Sequence, residues 1–307
     1  MTKKFFLYER FDDKNNLKLI KKKFNICKIG KEKKNQLKNI EVIFTKLNFY
    51  LSSDYLKRFK NLKYILSPTT GLNHVDLNFC NKKKIKIINL DPKDRKLKKN
   101  ITSTAELTIT LIFLAIKKLI SFFDSTKKFQ WNRYLNDFNQ FKEYKIGIIG
   151  YGRIGRMVKN YLKPFGFKVY IYEKKISKRN NEFVSLKFLL KNSDLITLHI
   201  NGKDNDDFID SIKLNYCKKN VVIINTSRGE VLNEKNLLTF LKKNKSASAY
   251  LDVIKNEQEE TKNLNTNKIF KYQALNGNLF LLPHIGGVAK DALIYTENLV
   301  LNNFLKI

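Results

Sequence analysis

A chain of 307 residues is long for one domain, and an apolar content of 43% can fill more than one core. No run of about 18 apolar residues is present, so no transmembrane helix is expected. The net charge of +32 would suit a nucleic-acid or anionic-membrane partner, but 52 of the 60 basic residues are lysine, scattered through 21–23, 31–34, 82–84, 96–99 and 242–245. A specific nucleic-acid binder concentrates its charge and reads guanine and phosphate with arginine. Neither partner is therefore expected, and the lysines read as solvated faces that draw in small anions. Cys27, Cys80 and Cys217 are few, odd in number and far apart, which suits reduced thiols in a cytoplasmic protein.

The apolar run at 5–8 is too short for a signal peptide and reads as a first strand. Val42–Thr45, Tyr64–Ser67 and Ile85–Leu90 read as further buried strands. Leu17–Phe24 and Ser53–Leu62 have helical spacing between them. A long apolar helix is expected from Ser103 through Phe123, opened by a Ser103–Glu106 capping box. A polar passage rich in aromatics, including Trp131, follows.

From Tyr144 a second alternating series begins. Strands are expected at 145–149, 168–172, 194–199, 221–225, 247–251 and 278–282. Helices are expected at 153–163, 185–191, 208–218, 233–243 and 288–303. The segment 255–277 is polar and reads as loop and short helix. The whole is an α/β chain: six strands interleaved with helices make a doubly wound parallel sheet, preceded by a smaller set of parallel β-α units.

The strongest motif is Gly147-Ile148-Ile149-Gly150-Tyr151-Gly152-Arg153-Ile154-Gly155, a strand running into G-x-G-x-x-G at the start of a helix. Gly150 permits the tight turn, Gly152 admits a pyrophosphate close to the backbone, and Gly155 lets helix and strand pack. The helix N-terminus offers free N–H groups and a positive dipole end. Strand 168–172 then ends at Glu173, where a carboxylate can accept from ribose hydroxyls and repel a 2′-phosphate, favouring NAD over NADP. Lys174, Lys175 and Lys178 blur that preference. A structural turn beside a surface glutamate is the alternative.

Of the three histidines, His74, His199 and His284, the last follows a strand end in Leu282-Pro283-His284-Ile285-Gly286-Gly287. Strand C-terminal ends are where open α/β sheets place ligands, and imidazole exchanges protons near neutrality. Arg228 follows strand 221–225 and can fork onto a carboxylate. Asp252 ends strand 247–251, with Glu257 five residues on, where a carboxylate could orient the His284 ring. Taken singly, Arg228 could be a surface cation, and Glu257 part of a solvated acidic run with Glu259 and Glu260.

Together these motifs resemble the D-isomer-specific 2-hydroxyacid dehydrogenase family, in order and spacing, over nearly the whole chain. The resemblance implies a Rossmann domain over 100–284 and a smaller flavodoxin-like substrate domain formed by 1–99 with 285–307. It implies hydride transfer between NAD(H) and C2 of a small D-2-hydroxy or 2-keto acid of phosphoglycerate, glycerate or glyoxylate type. Arg228, Glu257 and His284 are then the catalytic set. Gly150, Gly152, Arg153, Ile154, Gly155, Glu173, His199, Thr226, Asp252 and Gly287 would contact NAD, and Thr70, Gly71 and Arg228 the substrate, with no metal. A homodimer through the long helix is implied as well. The family often has proline where Gln258 and Asn201 stand and histidine where Leu107 stands, but no group that the reaction needs is missing. Ile307 follows the last helix closely, so no further regulatory domain is expected. A corepressor-like NAD(H)-binding protein without turnover is the other reading of the same fold.

Overall fold

The computed structural model describes residues 4–91, 94, 100–135, 137–175, 181–202, 204–257 and 263–307. Lys178, Gln258, Glu259, Glu260 and Lys96–Lys99 lie outside them. The chain divides into two compact units, Met1–Ile101 with Val288–Ile307, and Thr102–Gly287. The crossings fall two or three residues later than the sequence reading placed them.

The first unit runs β1 (Phe5–Tyr8), α1 (Lys14–Lys23), β2 (Asn25–Lys28), β3 (Ile40–Phe44), α2 (Ser53–Leu56), β4 (Tyr64–Ser67), α3 (Leu77–Lys82) and β5 (Lys86–Asn89). The strands pair in parallel in the order β2-β1-β3-β4-β5, the flavodoxin-like arrangement. Successive side chains alternate between faces, so Phe6 enters one apolar layer and Leu7 the other. Asp13, Ser52 and Asp76 cap α1, α2 and α3 by accepting from backbone N–H groups in the first turn. The sequence reading missed β2, whose half-exposed Asn25-Ile26-Cys27-Lys28 carries no apolar run. It also made α2 too long: beyond Leu56 the backbone continues in single turns.

The second unit continues with α4 (Ser103–Ile116), α5 (Leu119–Lys127), β6 (Lys145–Ile149), α6 (Arg153–Leu162), β7 (Lys168–Tyr172), α7 (Leu186–Asn192), β8 (Leu195–Leu198), α8 (Ser211–Tyr216), β9 (Val222–Asn225), α9 (Glu234–Lys243), β10 (Ser248–Leu251), α10 (Lys268–Leu275) and β11 (Leu279–Leu281). Its sheet is parallel throughout, in the order β11-β10-β9-β8-β6-β7. Both faces are covered by apolar layers, which explains the near-continuous Val, Ile and Leu runs. The chain reverses direction across the sheet between β6 and β8, the switch point where such folds open a crevice.

Three expectations need correction here. The long helix is broken: Lys118 adopts a left-handed φ of 51°, ending α4 and starting α5. The capping residue of α4 is Thr102, and the Ser103 hydroxyl donates instead to the Gly286 carbonyl at 2.8 Å. Helix 208–218 contracts to α8 because Ile209 bridges to Leu232 and Asp210 caps the first turn.

The last helix, α11 (Lys290–Leu305), belongs to the first unit, where Val300, Leu301 and Phe304 join Phe6, Ile20 and Phe44. Its Glu297 is fully buried. That carboxylate accepts from the N–H of Asp12 (2.9 Å), the N–H of Asp13 (3.3 Å) and Asn16 Nδ2 (3.0 Å), and pairs with Lys46 at 3.4 Å. A buried charge held by this many donors is tolerable, whereas the same charge alone would not be.

Candidate active site

Register builds the site. Across the second sheet Ile149 lies opposite Tyr172 and Leu198, Leu198 opposite Asn225, Asn225 opposite Leu251, and Leu251 opposite Leu281. The next residue of each strand therefore falls on one edge. These are Glu173, Gly150, His199, Thr226, Asp252 and Leu282, the last leading into Pro283-His284.

At the switch point Gly150 has φ +95°, and a Cβ there would lie 2.5 Å from the His199 carbonyl oxygen. Only glycine satisfies both conditions. A Cβ on Gly155 would lie 2.1 Å from the Gly150 carbonyl oxygen, so the helix start and the turn touch backbone to backbone. Gly152 is the opposite case: it is exposed, caps α6 by its backbone alone, and has no atom within 4 Å of where a Cβ would stand. That open cradle at a helix N-terminus is the room a pyrophosphate requires, so the residues present fit a dinucleotide. Glu173 accepts from the Tyr151 N–H at 2.9 Å and from the Lys175 N–H at 3.3 Å, which fixes its carboxylate beside the loop. Arg153 is half-buried, and burial lowers its pKa; Ile154 packs into the helix-sheet core. The His199 ring bonds to Thr197 Oγ1 at 3.0 Å, and burial takes its pKa down to about 3, so it stays neutral.

His284 and Glu257 meet as the sequence reading expected: Nδ1 lies 2.7 Å from Oε2, with both side chains partly exposed. With Nδ1 engaged, Nε2 is the nitrogen left to exchange a proton. His284 has φ +54°, a left-handed conformation that residues with a Cβ seldom adopt. The next two residues show what holds it. Asp252, 1% exposed, accepts from the Ile285 N–H at 2.7 Å and the Gly286 N–H at 2.8 Å. Burial pushes the Asp252 carboxyl up to about 6 against these two hydrogen bonds and the attraction of His284.

Arg228 sits half-buried at the end of β9, its Nη1 donating to the Ser227 carbonyl at 2.6 Å. Burial lowers its pKa, and the carboxylates of Glu230 and Glu257 oppose that shift. A guanidinium keeps its charge under such conditions. Arg228, Glu257 and His284 are thus brought into one electrostatic neighbourhood. Thr226 is buried and exchanges a hydroxyl hydrogen bond with Thr108 of α4 at 2.8 Å. Gly287 is exposed with open space about it. Thr70 and Gly71 stand in the first unit, in the loop after β4, where Thr69 Oγ1 donates to the Gly71 carbonyl at 2.7 Å. His74 is a buried partner of Ser67 at 3.1 Å rather than a site residue.

The sequence reading gave no role to Asn225. Its Nδ2 donates to the Arg228 carbonyl at 2.8 Å, and its Oδ1 accepts from the Ser227 N–H at 3.0 Å and hydroxyl at 2.8 Å, so it shapes the arginine loop. The available signal was an Asn at a strand end, a residue able to replace backbone partners in a turn.

A doubly wound sheet with a dinucleotide cradle at its switch point and an acid-supported histidine on the same edge defines a nicotinamide-dependent oxidoreductase. A family model described as D-isomer specific 2-hydroxyacid dehydrogenase, NAD binding domain, matches residues 109–286. The chain belongs to that family: it is an NAD-dependent D-2-hydroxyacid dehydrogenase. Among its relatives, a D-specific alpha-keto acid dehydrogenase of Enterococcus faecium is 28% identical over 257 residues, covering 81% of this chain and 77% of that one. A structure of D-lactate dehydrogenase from Aquifex aeolicus, complexed with NAD and lactic acid, is 25% identical with a TM-score of 0.82, covering 98% of this chain and 95% of that one. The fold is shared as well with D-2-hydroxyisocaproate dehydrogenase, at a TM-score of 0.78, 20% identity and coverage of 99% and 96%.

Proposed function

We propose that the chain interconverts a small 2-keto acid and its D-2-hydroxy acid with Arg228, His284 and Glu257 as the catalytic set. The observation that carries this reading is the 2.7 Å His284–Glu257 pair beside a partly desolvated Arg228. When bound, NAD(H) supplies or takes up the hydride at C2. Arg228 holds the substrate carboxylate and polarises the C2 oxygen. His284 protonates that oxygen in reduction and removes the proton in oxidation, and Glu257 steadies the imidazolium. Gly150, Gly152, Arg153, Ile154, Gly155, Glu173, His199, Thr226, Asp252 and Gly287 are assigned to the cofactor. The backbone of Thr70 and Gly71 is assigned to the substrate carboxylate.

Two carboxylates, Glu230 and Glu257, already act on Arg228. They favour a substrate whose only charge is its own carboxylate, so the glycerate and glyoxylate types rank ahead of phosphoglycerate. Three free cysteines suit a reducing, cytoplasmic setting. The exposed aromatics Phe129, Trp131 and Tyr134 support a homodimer.

The test is NADH oxidation against glyoxylate, hydroxypyruvate, phosphohydroxypyruvate, pyruvate and 2-ketoisocaproate. His284→Ala is expected to lower kcat by about a hundredfold or more while the NADH Kd stays within about twofold. Equal losses of turnover and NADH affinity would mark His284 as a structural residue and defeat the assignment.

A further inference from the structure

The opening of α4 does not match the rest of that helix. From Leu111 to Ile116 every residue is apolar, with Leu111, Ile112, Ala115 and Ile116 buried in the helix-sheet core. At its N-terminal end it carries three hydroxyls, Ser103, Thr104 and Thr108, and all three are engaged. Thr104 and Thr108 are one turn apart on the same face.

Two of these hydroxyls converge on one atom. Ser103 Oγ donates to the Gly286 carbonyl at 2.8 Å and Thr104 Oγ1 donates to it at 3.0 Å, which fills both lone pairs of that oxygen. The Gly286 N–H goes to Asp252 at 2.8 Å. A Cβ on Gly286 would lie 2.8 Å from Asp252 Oδ2 and 3.4 Å from the Thr104 methyl, so this peptide is enclosed as well as bonded. Gly286 is two residues from His284, whose own backbone is left-handed.

The third hydroxyl reaches the other catalytic loop. Thr108 Oγ1 donates its single proton to the Thr104 carbonyl at 2.8 Å. The 2.8 Å bond between Thr108 and Thr226 must then run from Thr226 to Thr108. Thr108 is fully buried and Thr226 is 5% exposed, so this bond forms away from water. Thr226 stands two residues before Arg228.

We propose that Ser103, Thr104 and Thr108 are positioning residues that tie the histidine loop and the arginine loop to one rigid helix, so that the proton donor and the carboxylate clamp are set against each other by α4. The inference rests on the catalytic reading of Arg228 and His284 given above. None of the three hydroxyls touches the reacting atoms. Each holds a loop that does, and a misplacement of about 1 Å costs about a hundredfold in rate.

The experiment compares Thr108→Val, which keeps the shape and removes the hydroxyl, with Thr108→Ser, which keeps the hydroxyl. A second pair compares Ser103→Ala/Thr104→Val with Ser103→Thr/Thr104→Ser. Each variant is assayed for kcat, substrate KM, NADH Kd and thermal midpoint, beside Arg228→Ala and His284→Ala. Thr108→Val is expected to lower kcat about tenfold or more with NADH Kd within about twofold, and Thr108→Ser to restore it. The second pair is expected to behave alike, and it decides the matter if Thr108→Val does not fold. A lowered thermal midpoint with kcat within about twofold of wild type overturns the proposal, as does a hydroxyl-keeping variant that loses as much kcat as its hydroxyl-free partner. If Arg228→Ala and His284→Ala keep their turnover, the catalytic reading itself fails. If they lose it while the α4 variants do not, only the positioning role fails.

Discussion

Asp252 shows how one side chain meets two opposed demands. Ionised, it can receive both N–H groups of residues 285 and 286 at once. Burial resists that ionisation and raises its pKa from 3.8 to about 6. The folded state therefore holds this proton more tightly than the unfolded chain. The associated stability is fully present below about pH 4 and is lost as pH rises to about 6. His199 has the opposite sign: its pKa is depressed, so its contribution fades as pH falls below 6.5. Comparing Asp252→Asn with wild type isolates the first effect. The variant should show a flatter thermal midpoint between pH 4 and 6, together with a lower kcat because its amide puts an NH2 group where one of the two carboxylate oxygens now accepts an N–H. Identical slopes in the two proteins would refute the argument.

At the scale of elements, the turn between β6 and α6 depends on two glycines that touch. A methyl at position 155 must displace the Gly150 carbonyl, and the Cα side of Gly150 is itself closed by the His199 backbone. Gly155→Ala should weaken NADH binding by at least about tenfold and lower the thermal midpoint by several degrees, about 1–3 kcal/mol of overpacking. Unchanged NADH affinity by titration would show that the turn relaxes freely.

This element was fully legible in the sequence because strand, glycines, helix and acid have fixed spacing. So were β8 and β9, whose short apolar runs are bounded by polar residues, and β10, where Ala249-Tyr250-Leu251 ends at Asp252. Edge strand β2 was not, since a half-exposed strand needs no apolar run. The break at Lys118 was also hidden, because nothing in Ile116-Lys117-Lys118-Leu119 interrupts helical periodicity. It shows in the left-handed φ of 51° at Lys118, next to Lys117, whose Nζ lies 4.5 Å from the Phe138 ring centre and 4.9 Å from that of Phe141. At the candidate site, residues whose own chemistry suggests a role, Arg228, Glu257 and His284, could be proposed from type and order. Asn225, Ser103, Thr104 and Thr108 could not, because a hydroxyl or amide gains its role only from the backbone atom it meets in space.

For the whole molecule, surface chemistry is uneven. The abundant lysines make most of the surface strongly hydrophilic, yet Phe123, Phe129, Trp131 and Tyr134 are 57%, 101%, 88% and 84% exposed within one short stretch. A second copy of the chain is the occupant proposed above. Replacing Phe129 and Trp131 together by serine should shift the protein toward monomer in sedimentation at micromolar concentration, with NADH binding retained. An unaltered oligomer, or a wild type that is monomeric, would remove the patch from that role.

The first unit is assembled from two separated stretches of chain, and its core includes Val300, Leu301 and Phe304 of α11. Glu297 of the same helix also supplies the acceptors for Asp12, Asp13 and Asn16. During synthesis, strands β1 to β5 emerge early but lack one wall until α11 leaves the ribosome. The dinucleotide-binding unit is continuous and can close first. The opening hundred residues must then wait, with apolar strand faces uncovered. The lysine-rich segments around those strands would discourage waiting chains from sticking to one another through charge repulsion.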